Sequence, residues 1–515
     1  MSESSDRESQ RQASWRRRYG IGAAGVALAV ALPLSGLFPD DQPEIGRMAA
    51  IAVLMAVWWV FEVVPIAVTS LFPIVLMPAL GIASLKAVTA NYGKPTIFLF
   101  LGGFVLALGL QRSGLHRRIA LHIVNRVGSH PARLVLGFML ACALLSMWIS
   151  NTASVMVMMP IALSVLDEAI EAGTDKKAVA VAGTAVMLGI AYAADMGGMA
   201  TPVGTPPNLV LIEMQSELFP DAPAISFAQW MAMGLPIAAI FLSVGWLIMT
   251  RFVFRLPRTP MFGGSQAIRT AIDKLGPVRR DEWLAGGVFA AIAALWMTGS
   301  GLQLGDSFRI PGWRDIDALA QLGDGAVAIL GAIVLFMIPS ADHKGEALMN
   351  WDTATRLPWG ILLLFGGGFA LAAGFQSSGL SETIGQAVAG LKGVPIILIV
   401  LIVCTVLTFL TELTSNTATT NLVLPILAQA AVALAVDPRF LMIPATLSAS
   451  CAFMMPVASP TQAIVFSSGY ITIKQMVRAG IWFNLLGIIL VTVIFMTLGG
   501  PAMGVDADTV PDWAH

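Results

Sequence analysis

The tripeptide Ser-Asn-Thr occurs twice within long apolar stretches, at Ser150-Asn151-Thr152 and at Ser415-Asn416-Thr417. Each copy follows the same motif, G-G-F-x-L-A-x-G-x-Q-x-S-G-L, which starts at Gly102 and again at Gly367. One offset of 265 residues carries Phe104 to Phe369, Gln111 to Gln376, Ser146 to Thr411, Asn151 to Asn416 and Pro160 to Pro425. A polar triplet duplicated in register inside such apolar sequence implies two structural repeats. Their polar groups would meet a solute and its coupling ions near the middle of a membrane.

Only 12% of the 515 residues are charged, against about a quarter in soluble domains. The net charge of −1 gives no basis for nucleic-acid binding. Cys142, Cys404 and Cys451 lie in apolar runs without metal or disulfide spacing and read as inert buried thiols. Residues 21–38 resemble a signal-peptide core, but no clear small-residue cleavage site follows, so they read as a retained first span.

Spans are expected near 21–38, 46–64, 66–82, 96–111, 178–213, 229–253, 283–300, 324–339, 358–375, 440–471 and 479–499, each about long enough for a roughly 30 Å hydrocarbon layer. Two apolar runs, 133–168 and 395–434, are too long for one span and carry the triplets near their centres. They read as re-entrant hairpins, since non-helical backbone at that depth must line a cavity or be buried in protein. With the N-terminus inside, Arg47, Lys86, Lys94, Arg309, Arg314, Lys392 and Arg439 fall outside, and the other 23 of the 30 Lys and Arg fall inside, as the positive-inside rule requires. The tail with Asp506, Asp508 and Asp512 then faces outside. The first Gly-Gly-Phe span runs toward the basic side and the second away from it, so the repeats are inverted. The basic segment from Arg251 to Arg280 reads as a cytoplasmic linker. The expected fold is an all-α polytopic membrane protein with inverted repeats, two re-entrant hairpins and two broken helices.

Each hairpin carries a hydroxyl five residues before its Asn: Ser146 before Asn151-Thr152, and Thr411 before Asn416-Thr417. Amide, hydroxyl and freed carbonyl oxygens can replace the water around a small hard cation. A helix restarting after the break presents its positive end to an anion. The bland reading of one such triplet is interhelical hydrogen bonding; two at matching register favour a site. A second matched pair is Pro202-Val203-Gly204-Thr205-Pro206-Pro207-Asn208 and Pro456-Val457-Ala458-Ser459-Pro460-Thr461-Gln462. Paired prolines should break each helix and free carbonyls for a cation, ordered water or a neighbouring helix. From tip to break the first copy is 11 residues longer, a surplus assigned to the polar loop around Asp167 to Lys177. Glu62, Asp195 and Glu412 are the charged residues expected deep in the membrane, which makes each a functional hypothesis. Asp195 reads either as a proton or cation ligand or as a residue facing a water-filled cavity. Glu412 reads as a hairpin anchor.

At these residues the chain resembles the divalent anion/sodium symporter family of dicarboxylate, citrate and sulfate carriers. Ser146-Met147-Trp148-Ile149-Ser150-Asn151-Thr152 and Phe61-Glu62-Val63-Val64-Pro65 are similar to its first-half signatures. Thr411-Glu412, Ser415-Asn416-Thr417 and Phe453-x-x-Pro456-Val457-Ala458 are similar to its second-half ones. The resemblance runs from about Gly46 to Gly500. It implies a homodimer in which mobile transport domains (96–228 and 358–475) move elevator-fashion against scaffold spans (21–95, 229–253, 283–357 and 476–500). Residues 1–20 and 501–515 are the tails and 254–282 the linker. It implies one Na+ at Ser146, Ser150, Asn151 and the Gly204 carbonyl, and another at Thr411, Thr414, Asn416 and the Ala458 carbonyl. The substrate carboxylates would meet Asn151, Thr152, Asn416 and Thr417, with Thr205 and Ser459 nearby.

One departure stands out. The family pattern has Pro-Asn where this chain has Thr461-Gln462, which predicts unequal half-sites and a Gln462→Asn change that tightens sodium. The reading is sodium-coupled import of C4-dicarboxylates across the cell membrane. A sodium-independent exchanger or a sulfate or citrate carrier is the alternative on the same fold. A channel should show a continuous polar pore ring, and an enzyme a nucleophile–base pair or metal spacing; the spans carry neither pattern.

Overall fold

The computed structural model describes residues 18–39, 41–127, 130–256, 266–304, 308–388, 393–500, 503–505 and 510–514. Most of the expected N-terminal tail, part of the central linker, and Asp506 and Asp508 lie outside the described residues. Among the described residues the regular structure is helical, with one small hairpin, Leu302–Leu304 against Phe308–Ile310. Among the described residues, seven helices are long and apolar enough to cross a membrane: Pro43–Val60, Leu85–Ser113, Asn151–Glu171, Lys176–Gly198, Phe227–Val253, Trp359–Ser377 and Ile473–Gly499. Five shorter apolar helices accompany them. One expected span, 66–82, is interrupted at Ser70 and Leu71, between Ile66–Thr69 and Phe72–Ala79.

Both Gly-Gly-Phe segments form helices of 19 residues, Pro95–Ser113 and Trp359–Ser377. Their glycines are there for contact. A Cβ on Gly102 would stand 2.5 Å from the Ala328 Cβ, and one on Gly367 would stand 2.5 Å from the Ser70 carbonyl oxygen. The first helix therefore seats against Asp324–Met337 and the second against the interrupted segment around Ser70. Phe100 and Phe365, which the 265-residue offset relates, touch with ring centroids 4.5 Å apart. At its basic end the first helix is tied down by Arg112, which donates to the carboxylate of Glu346 and to the Ala347 carbonyl. That hydrogen bond holds the Glu346 carboxyl below its usual range.

Each triplet run folds as helix, break, helix. The first comprises Pro131–Ser146 and Asn151–Glu171, the second Ile396–Thr411 and Asn416–Ala433. In both, the triplet serine is the N-cap of the restarting helix: Ser150 Oγ accepts from the Ala153 N–H and Ser415 Oγ from the Ala418 N–H. A serine after a break is suited to this, since its oxygen satisfies one of the orphan donors of the first turn.

The two proline-marked spans are also broken. Lys176–Gly198 stops before Met199 and resumes as Pro206–Leu218; Arg439–Ala449 stops before Ser450 and resumes as Pro460–Phe466. The 11-residue surplus does not lie in the polar loop. It comes from the helix leading to the break, 23 residues in the first copy and 11 in the second, a difference that small changes elsewhere between tip and break trim by one. Asp175 caps the longer helix by accepting from the Lys177 and Ala178 N–H groups, so the polar stretch starts a helix instead of extending a loop.

Candidate functional site

The first tip and the first break meet. The Thr201 hydroxyl donates to the Met147 carbonyl at 2.5 Å, which ties the broken segment to the turn between the hairpin helices. A Cβ on Gly197 would stand 2.3 Å from the Ala143 carbonyl oxygen, so glycine is required for this approach. A Cβ on Gly198 would stand 2.7 Å from Asn151 Oδ1 and 3.2 Å from both the Gly204 carbonyl oxygen and Thr205 Cβ. Ser146, fully buried, donates from Oγ to Asn151 Oδ1 at 2.6 Å. Ser146, Asn151, the Gly204 carbonyl and Thr205 are thus gathered in one place, and three of them offer oxygens suited to a hard cation. Thr152 lies beside them in the first turn of the restarted helix. Ser150 is not drawn into the cluster; its side chain is exposed and serves as the cap.

The second tip is built differently. Thr411 donates to the Leu407 carbonyl of its own helix at 2.9 Å, where Ser146 turns to its asparagine. Thr414 pairs with Thr419 at 2.7 Å and the Leu410 carbonyl at 3.0 Å. These hydroxyls keep lone pairs for a further partner, but their hydrogens are used locally. Asn416 Oδ1 is buried with no hydrogen-bond partner. A buried orphan acceptor is costly, and a cation or a donor-bearing solute would satisfy it. Thr417 follows in the first turn, and buried Ala458 and half-buried Ser459 end the second break, Ser459 capping Pro460–Phe466.

The departure from the family pattern has a geometric account. Asn208 spends its two amide hydrogens on the Gly198 carbonyl at 3.0 Å and the Thr201 carbonyl at 2.8 Å. Gln462, its counterpart, makes the matching bond to the Ala452 carbonyl at 3.0 Å. Its extra methylene carries the second hydrogen to Asp195 Oδ2, at 2.9 Å. The hydroxyl of Thr461, where the family pattern has proline, lies 3.3 and 3.4 Å from the two Asp195 oxygens. Asp195 Oδ1 in turn accepts from Asn151 Nδ2 at 2.9 Å. Asp195 is 3% exposed, so it does not face a water-filled cavity. It joins the first tip to the second break.

The other two charged candidates separate. Glu62 sits exposed after Pro43–Val60 with a left-handed φ of 45°, so it is not buried inside the protein. Glu412 is buried and accepts from the Phe453, Met454 and Met455 N–H groups at 2.8–3.0 Å and from Asn484 Nδ2 at 2.7 Å. This gives it the anchoring geometry expected from its place beside the triplet. Asn484 was not singled out from the sequence, although an asparagine in the middle of the apolar run from Ile473 to Ile494 was a signal. Tyr192 adds a further tie, donating to the Phe453 carbonyl at 2.8 Å.

Apolar helices bring two capped tips against two helix breaks, and the family and relatives that the chain matches are membrane transporters, not enzymes. The chain belongs to the family described as the sodium:sulfate symporter transmembrane region, whose match covers residues 14–504; the resemblance seen in the signature motifs holds over nearly the whole chain. Among curated proteins it is similar to the sodium-dependent dicarboxylate transporter SdcS of Staphylococcus aureus strains MRSA252 and NCTC 8325. Identity with each is 40% over 491 residues, spanning 94% of this chain and 92% of the relative. Two solved structures share the fold at low identity. The Neisseria gonorrhoeae MtrF structure aligns with a TM-score of 0.59 at 13% identity, over 94% of this chain and 100% of that one. The Alcanivorax borkumensis YdaH transporter aligns with a TM-score of 0.54 at 16% identity, over 81% and 88%.

Proposed function

We propose that this protein is a sodium-coupled importer of C4-dicarboxylates such as succinate, malate and fumarate. The observation that carries the reading is the convergence of Ser146 Oγ, Asn151 Oδ1 and the Gly204 carbonyl beside Gly198. Those oxygens suit a small hard cation, and the orphan Asn416 Oδ1 suits a second at the other tip. The substrate carboxylates lie between the two restarted helices, at Asn151-Thr152 and Asn416-Thr417, with Thr205 and Ser459 beside them. The positive ends of helices of 21 and 18 residues favour anions there. The similarity to sodium-dependent dicarboxylate transporters supports the same ions and substrates.

The two broken runs are re-entrant hairpins of inverted repeats, a reading supported by the contact between Phe100 and Phe365. The segments 96–228 and 358–475 move as a unit past the scaffold, carrying substrate and sodium together in a homodimer of the cell membrane. The N-terminus is cytoplasmic and the C-terminus outside.

Uptake of labelled succinate into proteoliposomes tests the reading. Replacing external sodium by potassium is expected to lower the initial rate at least about ten-fold, the loss of roughly 1.4 kcal/mol of coupled binding. Equal rates in the two salts, or uptake only against internal dicarboxylate, would move the assignment to a sodium-independent exchanger. Sodium-dependent uptake of sulfate without succinate would keep the coupling and change the substrate.

A further inference from the structure

We propose that Asp195 is a positioning residue: its carboxylate fixes the Asn151 amide for sodium and, through Gln462, makes that fixation depend on the second helix break. The inference rests on the sodium-coupled reading above and deepens it.

The amide of Asn151 has two unlike ends. Oδ1 accepts from Ser146 and lies, like the Gly204 carbonyl, against Gly198, while Nδ2 donates to Asp195. Turned by half a rotation, it would aim N–H groups at the carbonyl and repel a cation. Such a turn is nearly free in shape and is decided by hydrogen bonding. In its ionised form a carboxylate accepts and does not donate, so Asp195 then admits only the Nδ2 end. It therefore selects the orientation that presents Asn151 Oδ1 to sodium.

The two oxygens of Asp195 are divided between the repeats. Oδ1 takes the Asn151 amide of the first hairpin tip, and Oδ2 takes the Gln462 amide of the second break. Gln462 is braced in turn by the Ala452 carbonyl and by the Thr461 hydroxyl, which donates to Gln462 Oε1 at 2.5 Å. No lysine, arginine or histidine pairs with Asp195 among the described residues. A negative charge held there only by neutral donors is costly in a dry interior, and a cation on the far side of the Asn151 amide would offset that cost. Moving the second break would withdraw the Gln462 donor and loosen the carboxylate, and with it the amide. Asp195 thereby joins Asn151 to Thr461 and Gln462, which lie 266 and 267 positions beyond Asp195 in the chain.

This reverses the expectation drawn from the sequence. Gln462→Asn shortens the side chain so that one amide no longer spans Ala452 and Asp195. The change should therefore weaken sodium binding, not tighten it.

The test is sodium titration of succinate uptake in proteoliposomes carrying the full chain, as wild type, Asp195→Asn, Gln462→Asn and the double variant. An asparagine at 195 keeps the shape but offers either end to its neighbours. Each single change is expected to raise half-maximal sodium at least about ten-fold, as losing a hydrogen bond to a charged group should. The succinate half-saturation measured at saturating sodium should stay within two-fold, a split that general destabilisation would not produce. The double variant should go no further than the worse single one, because both cut the same link. Unchanged half-maximal sodium in the single variants, a lower value in Gln462→Asn, or shifts that multiply in the double would overturn the proposal while leaving sodium coupling intact. A wild type indifferent to sodium would overturn the functional reading and the role of Asp195 with it.

Discussion

Replacing Asn416 or Asn151 by alanine should abolish succinate uptake, with rates falling at least about 30-fold, yet the two variants should differ in stability. Each loses an oxygen assigned to the cation and an amide assigned to the substrate carboxylate. Losing one partner in a dry site costs about 1–3 kcal/mol for a neutral group and more for a charged one. Within the protein Asn416 Oδ1 has no hydrogen-bond partner, so Asn416→Ala removes an unsatisfied group. Its thermal midpoint in detergent without sodium should match or exceed wild type. Asn151 holds Ser146 on one side and Asp195 on the other, so Asn151→Ala strands both and should lower the midpoint. Near-normal uptake by either variant would sink the assignment of a cation to each tip.

Glu412→Ala is expected to be the most damaging change to the folded state. It withdraws the acceptor from three consecutive backbone N–H groups, Phe453 to Met455, and from the Asn484 amide. These donors belong to the second break and to the helix Ile473–Ile494; the Phe453 N–H keeps a second acceptor in Asn484 Oδ1, 3.2 Å away, while the Met454 and Met455 N–H groups lose theirs. Breaking a buried charged network of this kind costs about 3–5 kcal/mol, a large part of an ordinary folding stability of roughly 5–15 kcal/mol. Glu412→Gln keeps one acceptor oxygen but turns an NH2 toward donors, so it should fall between wild type and alanine. Thermal unfolding in detergent, followed by tryptophan fluorescence, reads the order directly. An alanine variant that melts with wild type would show that the carboxylate is not an anchor.

Local features were legible in the sequence, and contacts between the repeats were not. The tips at Asn151 and Asn416 and the breaks before Pro206 and Pro460 follow from proline chemistry and from polar residues in apolar runs, signals carried by neighbouring residues. The capping role of Ser150 follows from an equally local rule. It stands beside the family-based ligand assignment, since a serine hydroxyl that accepts one cap hydrogen bond keeps a second lone pair. Thr411 occupies the position of Ser146 but turns to its own helix carbonyl, a choice between rotamers that the sequence does not record. Asp195 could be read as buried and functional. Its partners Asn151, Thr461 and Gln462 come from other turns of the chain, and no periodicity marks such pairs. Likewise Asn484 gave a local signal as a polar residue in an apolar helix, but not that it reaches Glu412.

Coupling is the central claim, and sodium movement driven by substrate tests it most directly. Proteoliposomes with equal sodium on both sides, given an inward succinate gradient, should take up labelled sodium against no gradient of its own. That uptake should vanish in Asn151→Ala and Asn416→Ala. Succinate entry that leaves labelled sodium at its resting distribution would contradict the account.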